Sequence, residues 1–123
     1  MNQINYNGKI FTTITNTENG EVNRETTFYY RQKENHVWAE YSGGGIIVGH
    51  LIAVADEKGN LDMRYHHINE SNEIMTGICS SKPELLADGR LRMHEEWEWT
   101  CSDRSKGCSI VEEIEMRDSG ERK

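Results

Sequence analysis

The chain is poor in several residue types, and each shortage narrows the class of protein. Its 123 residues include one proline, three cysteines and 35% hydrophobic residues, and no apolar run is long enough to span a bilayer. The first 20 residues also lack a basic stretch followed by an apolar one. The sequence therefore predicts neither a membrane span nor a secretory leader, and we expect a cytoplasmic protein. A chain of this length has room for one domain.

Cysteine and positive charge are both scarce. Cys79, Cys101 and Cys108 make an odd count without a C-x-x-C pair, which favours reduced thiols over a disulfide framework. Cys101 and Cys108 flank a turn, so a disulfide between these two is the alternative. The 14 basic and 21 acidic residues give a net charge of -7, which repels phosphate backbones and anionic lipids. This predicts no nucleic-acid partner and no membrane partner.

Apolar residues at helical spacing are missing from every long stretch of the chain. Apolar and polar residues instead alternate with a period of two, and turn residues separate the alternating segments, which is typical of antiparallel strands. Pro83 is expected in a connection, since proline cannot donate a hydrogen bond to a strand ladder. The predicted strands are 9–15, 21–32, 36–41, 46–55, 61–69, 73–81, 90–101 and 108–116.

Eight consecutive strands with short links predict an all-β fold, a single eight-stranded antiparallel up-and-down β-barrel over residues 1–116. The charged tail of residues 117–123 is expected to be disordered. A barrel of eight strands either fills itself with side chains or holds one small ligand. The sequence leaves open which of the two applies here.

The seventh predicted strand has one apolar face that includes an acid. Because side chains alternate along a strand, Glu95 shares the inward face with the apolar residues on either side of it. A buried carboxylate requires a cation or several hydrogen-bond donors, so Glu95 should have a partner. The residues predicted to point inward on this strand are Leu91, Met93, Glu95, Trp97 and Trp99.

The fifth predicted strand offers two possible inward faces. Hydrophobicity alone would turn Met63 and Tyr65 into the barrel, whereas the partner that Glu95 requires would turn Arg64 and His66 inward. We adopt the second arrangement as a hypothesis, because a ligand-holding barrel tolerates inward polar groups that are paired.

The fourth predicted strand, residues 46–55, is apolar on both faces. The outer face of a monomeric barrel meets water, so a strand that is apolar on both sides predicts coverage by another subunit. We expect a homo-oligomer that forms through strand 46–55. The alternative is that a terminal segment of the same chain covers this strand.

Neither a metal site nor a cofactor is predicted. The five histidines show no paired ligand spacing, although a haem bound by an inward His50 or His66 is an alternative. Ser42 precedes three glycines that lead into a strand rather than a helix, so they do not form a phosphate loop. The segment either forms a mobile mouth loop whose Ser42 caps a ligand or is a hairpin without such a role.

Several segments resemble a small family of uncharacterised bacterial proteins whose members are labelled N-acetylglutamate synthase. The resemblance runs from Tyr6 to Ile114, and DMRYH and WEWT are its most specific parts. It implies an avidin-like or lipocalin-like barrel, and its label implies acetyl transfer. The segments that carry it are YSGG (41–44), GHLIA (49–53), DMRYH (62–66), MTGIC (75–79) and HEEWEWT (94–100).

We predict that the protein binds a small, partly polar molecule in the barrel interior without catalysis. One alternative is an enzyme, either for the labelled acetyl transfer or for acid/base chemistry at Glu95. Acetyl transfer of the labelled kind would require a strand-to-helix loop for acetyl-CoA, and the sequence has no convincing helix. Another alternative is a filled barrel that acts as an assembly module. The predicted ligand-binding residues are Glu95, Arg64 and His66 as polar contacts, Trp97, Trp99 and Tyr30 as walls, and Ser42 at the mouth.

Overall fold

A computed structural model describes residues 4–114, so the predicted disordered tail of residues 117–123 lies outside the described residues. The prediction of an all-β barrel is confirmed. Each strand pairs antiparallel with the next, and the eighth pairs with the first, which closes the barrel. The strands are β1 (Ile10–Asn16), β2 (Thr27–Lys33), β3 (His36–Gly43), β4 (Ile46–Ala55), β5 (Leu61–Asn69), β6 (Ile74–Leu85), β7 (Leu91–Trp99) and β8 (Lys106–Glu113).

Only β4 and β5 have the predicted bounds, and the two most informative differences concern β2 and Pro83. The strand β2 begins at Thr27 and not at residue 21, so residues 17–26 form a long connection. The prediction that Pro83 lies in a connection is wrong, because Pro83 lies within β6 opposite Met93 of β7. The pairing of β6 with β5 has already ended at Ser81, so the missing N–H of Pro83 costs no hydrogen bond to β5.

The faces of β5 and β7 decide which side chains enter the barrel. On β7 the inward set is the predicted one, with Glu95 between Met93 and Trp97. On β5 the prediction that Arg64 and His66 point inward is wrong, since both are exposed on the outer face. Hydrophobic alternation decides the orientation of β5, and the inward residues of this strand are Leu61, Met63, Tyr65, His67 and Asn69.

One end of the barrel is filled with side chains. Tyr6, in the segment before β1, is completely buried and donates a hydrogen bond to the carbonyl oxygen of Gly59 in the β4–β5 turn. Its ring lies 5.9 Å from that of Tyr30, which in turn lies 4.9 Å from the ring of Phe11. The N-terminal segment therefore plugs this end, and any chamber has to lie toward the other end.

Inward glycines lie opposite inward aromatic residues on neighbouring strands. Gly49 pairs with Tyr41, Gly77 with Tyr65, and Gly107 with Trp97. A Cβ atom on Gly77 would lie 2.2 Å from the Tyr65 ring, and one on Gly107 would lie 2.4 Å from the Trp97 ring. The glycines thus provide the space that these rings occupy.

The seam between β1 and β2 is short. These strands pair only over Ile10–Thr12, whereas β6 pairs with β7 over Gly77–Leu85. The long connection of residues 17–26 continues from this short seam. The described part of the chain contains no helix long and apolar enough to cross a membrane.

The outer face of β4 and its neighbour β3 carries exposed apolar side chains. A bulge near the start of β4 turns both Ile47 and Val48 outward, and Ile52 and Val54 follow on the same surface. Ile52 is 65% exposed, and Trp38 of β3, its partner in the register, is 39% exposed. No segment within residues 4–114 covers this surface, so the alternative of coverage by a terminal segment finds no support in the described chain.

Candidate functional site

A chamber of about 50 Å³ lies inside the barrel, at the end opposite the Tyr6 plug. The long connection of residues 17–26 extends over it and contributes Gly20, Glu21 and Val22 to its walls. The remaining walls come from β-strands. They consist of Asn16, Phe28, Tyr41, Leu51, Met63, Tyr65, His67, Cys79, Glu95, Trp97, Trp99 and Ser109.

The connection of residues 17–26, hereafter the lid, is fixed to the barrel by hydrogen bonds. The indole N–H of Trp99 donates to the carbonyl oxygen of Asn19 at 3.0 Å, and the Asn19 amide donates to the carbonyl oxygen of Lys106 at 2.9 Å. The Asn16 amide also donates to the carbonyl oxygen of Val22 at 3.0 Å. The lid is therefore an ordered, partial cover of the chamber.

A chain of hydrogen bonds joins the lid to the interior through His67. The Tyr41 hydroxyl lies 2.9 Å from His67 Nδ1, and His67 Nε2 lies 2.8 Å from Glu21 Oε1. Burial lowers the pKa of His67, although Glu21 opposes this effect. A neutral His67 satisfies both bonds, because its Nδ1 accepts from Tyr41 and its Nε2–H donates to the Glu21 carboxylate.

Asn69 supports the same carboxylate from the rim. Its amide nitrogen donates to Glu21 Oε2 at 3.1 Å and to Glu73 Oε1 at 3.0 Å. Its side-chain oxygen accepts from the backbone N–H groups of Ser71 and Glu73, each at 3.0 Å. The β5–β6 turn thus orients Asn69, which helps to hold Glu21 over the chamber.

Glu95 lies between two serines on the strands that flank it. Ser81 of β6 and Ser109 of β8 are its direct partners in the register, and Ser109 Oγ donates to Glu95 Oε1 at 2.9 Å. Burial raises the pKa of Glu95 to about 7, although both serine hydroxyls act in the opposite direction. The predicted cationic partner is not there, since none of the described residues that line the chamber is Lys or Arg. Glu95 is instead about half protonated near neutral pH.

Aromatic rings that are steeply inclined to one another form part of the chamber wall. The rings of Trp97 and Trp99 lie 5.4 Å apart at an angle of 61°, and Tyr65 lies 5.9 Å from Trp99 at 64°. His67 also meets Trp99 at 75°. These rings line the chamber wall from different directions.

The structure brings together only part of the predicted site. Glu95, Trp97 and Trp99 line the chamber. Tyr30 lies in the packed interior and not in the chamber wall, and its buried hydroxyl has no hydrogen-bond partner among the described residues. Ser42 is exposed at the end of β3.

Arg64 and His66, the other predicted contacts, lie outside the barrel. The guanidinium group of Arg64 bonds to Asp62 of the same outer face at 2.8 Å. His50, the other candidate for a haem ligand, also points outward and lies 3.6 Å from Glu40. Neither His50 nor His66 can therefore act as a ligand inside the barrel. The described residues contain no group of three His, Cys, Asp or Glu side chains arranged to hold a metal ion.

The polar residues of the lid and rim are not among those predicted from the sequence. Glu21 falls in the predicted strand 21–32, although the surrounding polar run of residues 18–26 shows no apolar alternation and is typical of a loop. His67 was missed because β5 was turned the wrong way. The correct face could have been found from Leu61, Met63 and Tyr65, which share the parity of His67.

All three cysteines are free thiols, so Cys101 and Cys108 do not form a disulfide. Cys79 lines the chamber, and burial raises the pKa of its thiol well above the ordinary range. A thiol that stays protonated is a poor nucleophile. Cys79 therefore serves as an apolar wall residue.

The comparisons with known proteins agree with this architecture. The family model described as avidin-like protein matches residues 4–114. No curated protein and no solved structure matches the chain significantly. The label of N-acetylglutamate synthase gains no support from these comparisons. The matched region spans the whole barrel, from the segment that plugs one end to the last strand, and the chain belongs to the avidin-like family.

Proposed function

We propose that the protein binds a small, partly polar molecule in the chamber beneath the lid, without catalysis. The observation that carries this proposal is a cavity inside an otherwise packed barrel that holds an acid, Glu95, among aromatic walls. Membership in a family of small-molecule binding proteins is consistent with it. Binding sites of this kind combine apolar walls with a few polar groups that orient the ligand.

The size of the chamber limits what fits beneath the closed lid. Pockets for drug-sized ligands measure roughly 300–1,000 Å³, whereas this chamber measures about 50 Å³. One water molecule occupies about 10–15 Å³ on a comparable scale. The chamber thus accepts a group of a few heavy atoms beneath the lid, and a larger ligand has to extend out of the chamber or move the lid outward.

Native mass spectrometry of freshly purified protein tests the proposal. We expect a small molecule to be retained on the folded protein and released on denaturation. Leu51→Phe should abolish this retention, because Leu51 lines the chamber and the larger ring would fill it. Ile74→Phe is the control, since Ile74 of β6 points outward and lies outside the β4 surface. A folded Leu51→Phe protein that keeps the adduct would place the ligand elsewhere.

We also propose that the protein forms a homo-oligomer through the outer face of β4. Ile47, Val48, Ile52 and Val54 are each more than 40% exposed on this strand. Ile52 and Val54, with Trp38 beside them, form an exposed apolar cluster of the kind that marks an interface, and His50 separates this cluster from Val48. A second copy of the barrel would bury it.

Sedimentation of the wild type and of Ile52→Glu tests the oligomer. We expect the wild type to sediment as an oligomer, and Ile52→Glu to sediment as a folded monomer, because the new carboxylate would be desolvated in the interface. Ile74→Glu is the control, since Ile74 of β6 is 69% exposed outside the β4 surface. A monomeric wild type would contradict the proposal.

A cytoplasmic location also stays a proposal, which the three free thiols support.

A further inference from the structure

We propose that the ligand is a small organic cation, an alkylammonium or guanidinium group held by Glu95 and Glu21 within the aromatic walls. This inference rests on the proposed function, since it names the chemical class of the ligand that the chamber binds. Four features of the described residues support it: the charges of the lining, its free acceptors, its rings and its volume.

The lining carries negative charge without a compensating cation. Its ionisable side chains include Glu21 and Glu95, but neither Lys nor Arg. His67 is the one basic group of the described lining, and both of its ring nitrogens are already used by Tyr41 and Glu21. An anionic ligand would therefore meet like charge in a site of low polarity, whereas a cation would meet opposite charge.

The lining of the chamber includes acceptor atoms that lack donors. Asn16 lines the chamber, and its amide nitrogen donates to the carbonyl oxygen of Val22. Its buried Oδ1 has no hydrogen-bond partner among the described residues. A carboxylate has about four acceptor sites, and Ser109 occupies one on Glu95. Buried acceptors without donors are costly. The N–H groups of a protonated amine or of a guanidinium group would satisfy them.

The rings of the chamber suit a cation as well. Trp97 and Tyr65 each pack at a steep angle to Trp99, and all three rings line the chamber, so a small group in the chamber is close to more than one ring. A cation within about 6 Å of an aromatic face is attracted by the ring quadrupole, and more strongly when water is excluded. Alkylammonium groups are the ligands that aromatic cages recognise.

The volume fits a small head group. A chamber of about 50 Å³ holds the equivalent of about three to five water molecules. A trimethylammonium or guanidinium head has four heavy atoms and falls within this range. A longer substituent would have to reach outward past the lid.

Proton linkage follows from the position of Glu95. The ionisable groups that face it are Tyr30 of β2, Tyr41 of β3, Tyr65 of β5 and Cys79 of β6, all of which burial keeps neutral. Glu21 and His67 lie across the same chamber. A cation binds the ionised form of Glu95 better, so it should displace the proton from that carboxyl group.

Calorimetric titration with choline and with 3,3-dimethylbutan-1-ol tests the inference. The alcohol has the same shape, but a carbon atom replaces the charged nitrogen. At pH 8 and matched ionic strength we expect choline to bind at least tenfold more tightly than the alcohol. The affinity for choline should fall about tenfold per pH unit below pH 7, because Glu95 then binds a proton.

Two variants locate the charge that matters. Glu95→Gln keeps the shape of the side chain and should weaken choline binding at least tenfold at pH 8. Glu96→Gln should leave binding unchanged, because Glu96 is the next residue along β7 and is exposed on the outer face. Equal binding of choline and the alcohol would contradict the proposal that the ligand is a cation, but it would support a chamber that binds ligands. Absence of choline binding would also contradict the proposal that the ligand is a cation. If the native mass spectrum still showed a retained molecule, the proposed function of ligand binding would be supported.

Discussion

Replacing Glu95 with Gln should stabilise the protein by about 3 kcal/mol at pH 8 and leave its stability nearly unchanged at pH 4. The pKa of Glu95 is about 7 in the folded chain, against about 4.3 for an unperturbed Glu. The folded state therefore holds one proton more than the unfolded state between these two values. Stability that is fully present below pH 4 is lost as the pH rises through 7, by about 1.4 kcal/mol per unit.

Urea unfolding of the wild type and of Glu95→Gln between pH 4 and pH 8 measures this effect. The difference between the two proteins isolates Glu95, because His67 contributes with the opposite sign to both. Burial lowers the pKa of His67, so its contribution is lost as the pH falls below about 6.5. Glu96→Gln, on the outer face, should show the wild-type pH dependence. A constant difference between wild type and Glu95→Gln across this range would show that Glu95 ionises normally.

Gly49→Ala should destabilise the fold by about 2–3 kcal/mol. An added Cβ would lie 2.5 Å from the ring of Tyr41 and 2.8 Å from Cβ of His67. Neither neighbour can yield easily, since both belong to inward side chains of paired strands. The shift of either ring should also break the Tyr41–His67 hydrogen bond and loosen the lid.

Thermal or urea unfolding gives the size of the loss, and amide hydrogen exchange of residues 17–26 reports the lid. Gly45→Ala is the matched control at the start of the same strand. A Cβ there would meet only the Glu21 carbonyl oxygen at 3.6 Å, an ordinary contact, so the change should stay within about 0.5 kcal/mol. Equal stability of the two variants would show that the Tyr41 ring has room to move.

The architecture could be read from the sequence because period-two alternation and turn residues recur eight times. Each strand repeats the same signal, so an error in one boundary does not change the topology. The inward position of Glu95 followed for the same reason, since Met93 and Trp97 fix its face. The pairing of glycines with aromatic residues could not be predicted, because it depends on the register between strands and not on order within one.

The error on β5 arose from an assumption about the acid. A cationic partner for Glu95 favours an inward Arg64, whereas the apolar residues Met63 and Tyr65 favour the opposite face, and the apolar residues decide the orientation. Glu95 has no cationic partner in the structure, and burial instead raises its pKa to about 7, so the carboxyl group keeps its proton to a higher pH than an exposed Glu. Arg64 then has no reason to leave water, and it bonds to Asp62 on the surface.

The short pairing of β1 with β2 makes this seam the place where we expect the barrel to open locally first. Amide protons there have fewer neighbours in the ladder, so this seam should exchange with solvent at a lower free energy than the long β6–β7 ladder. The lid continues from this seam, and its outward movement would strain the weakest ladder while the other strands stay intact. A molecule could thus enter and leave through local unfolding on a timescale much shorter than that of global denaturation.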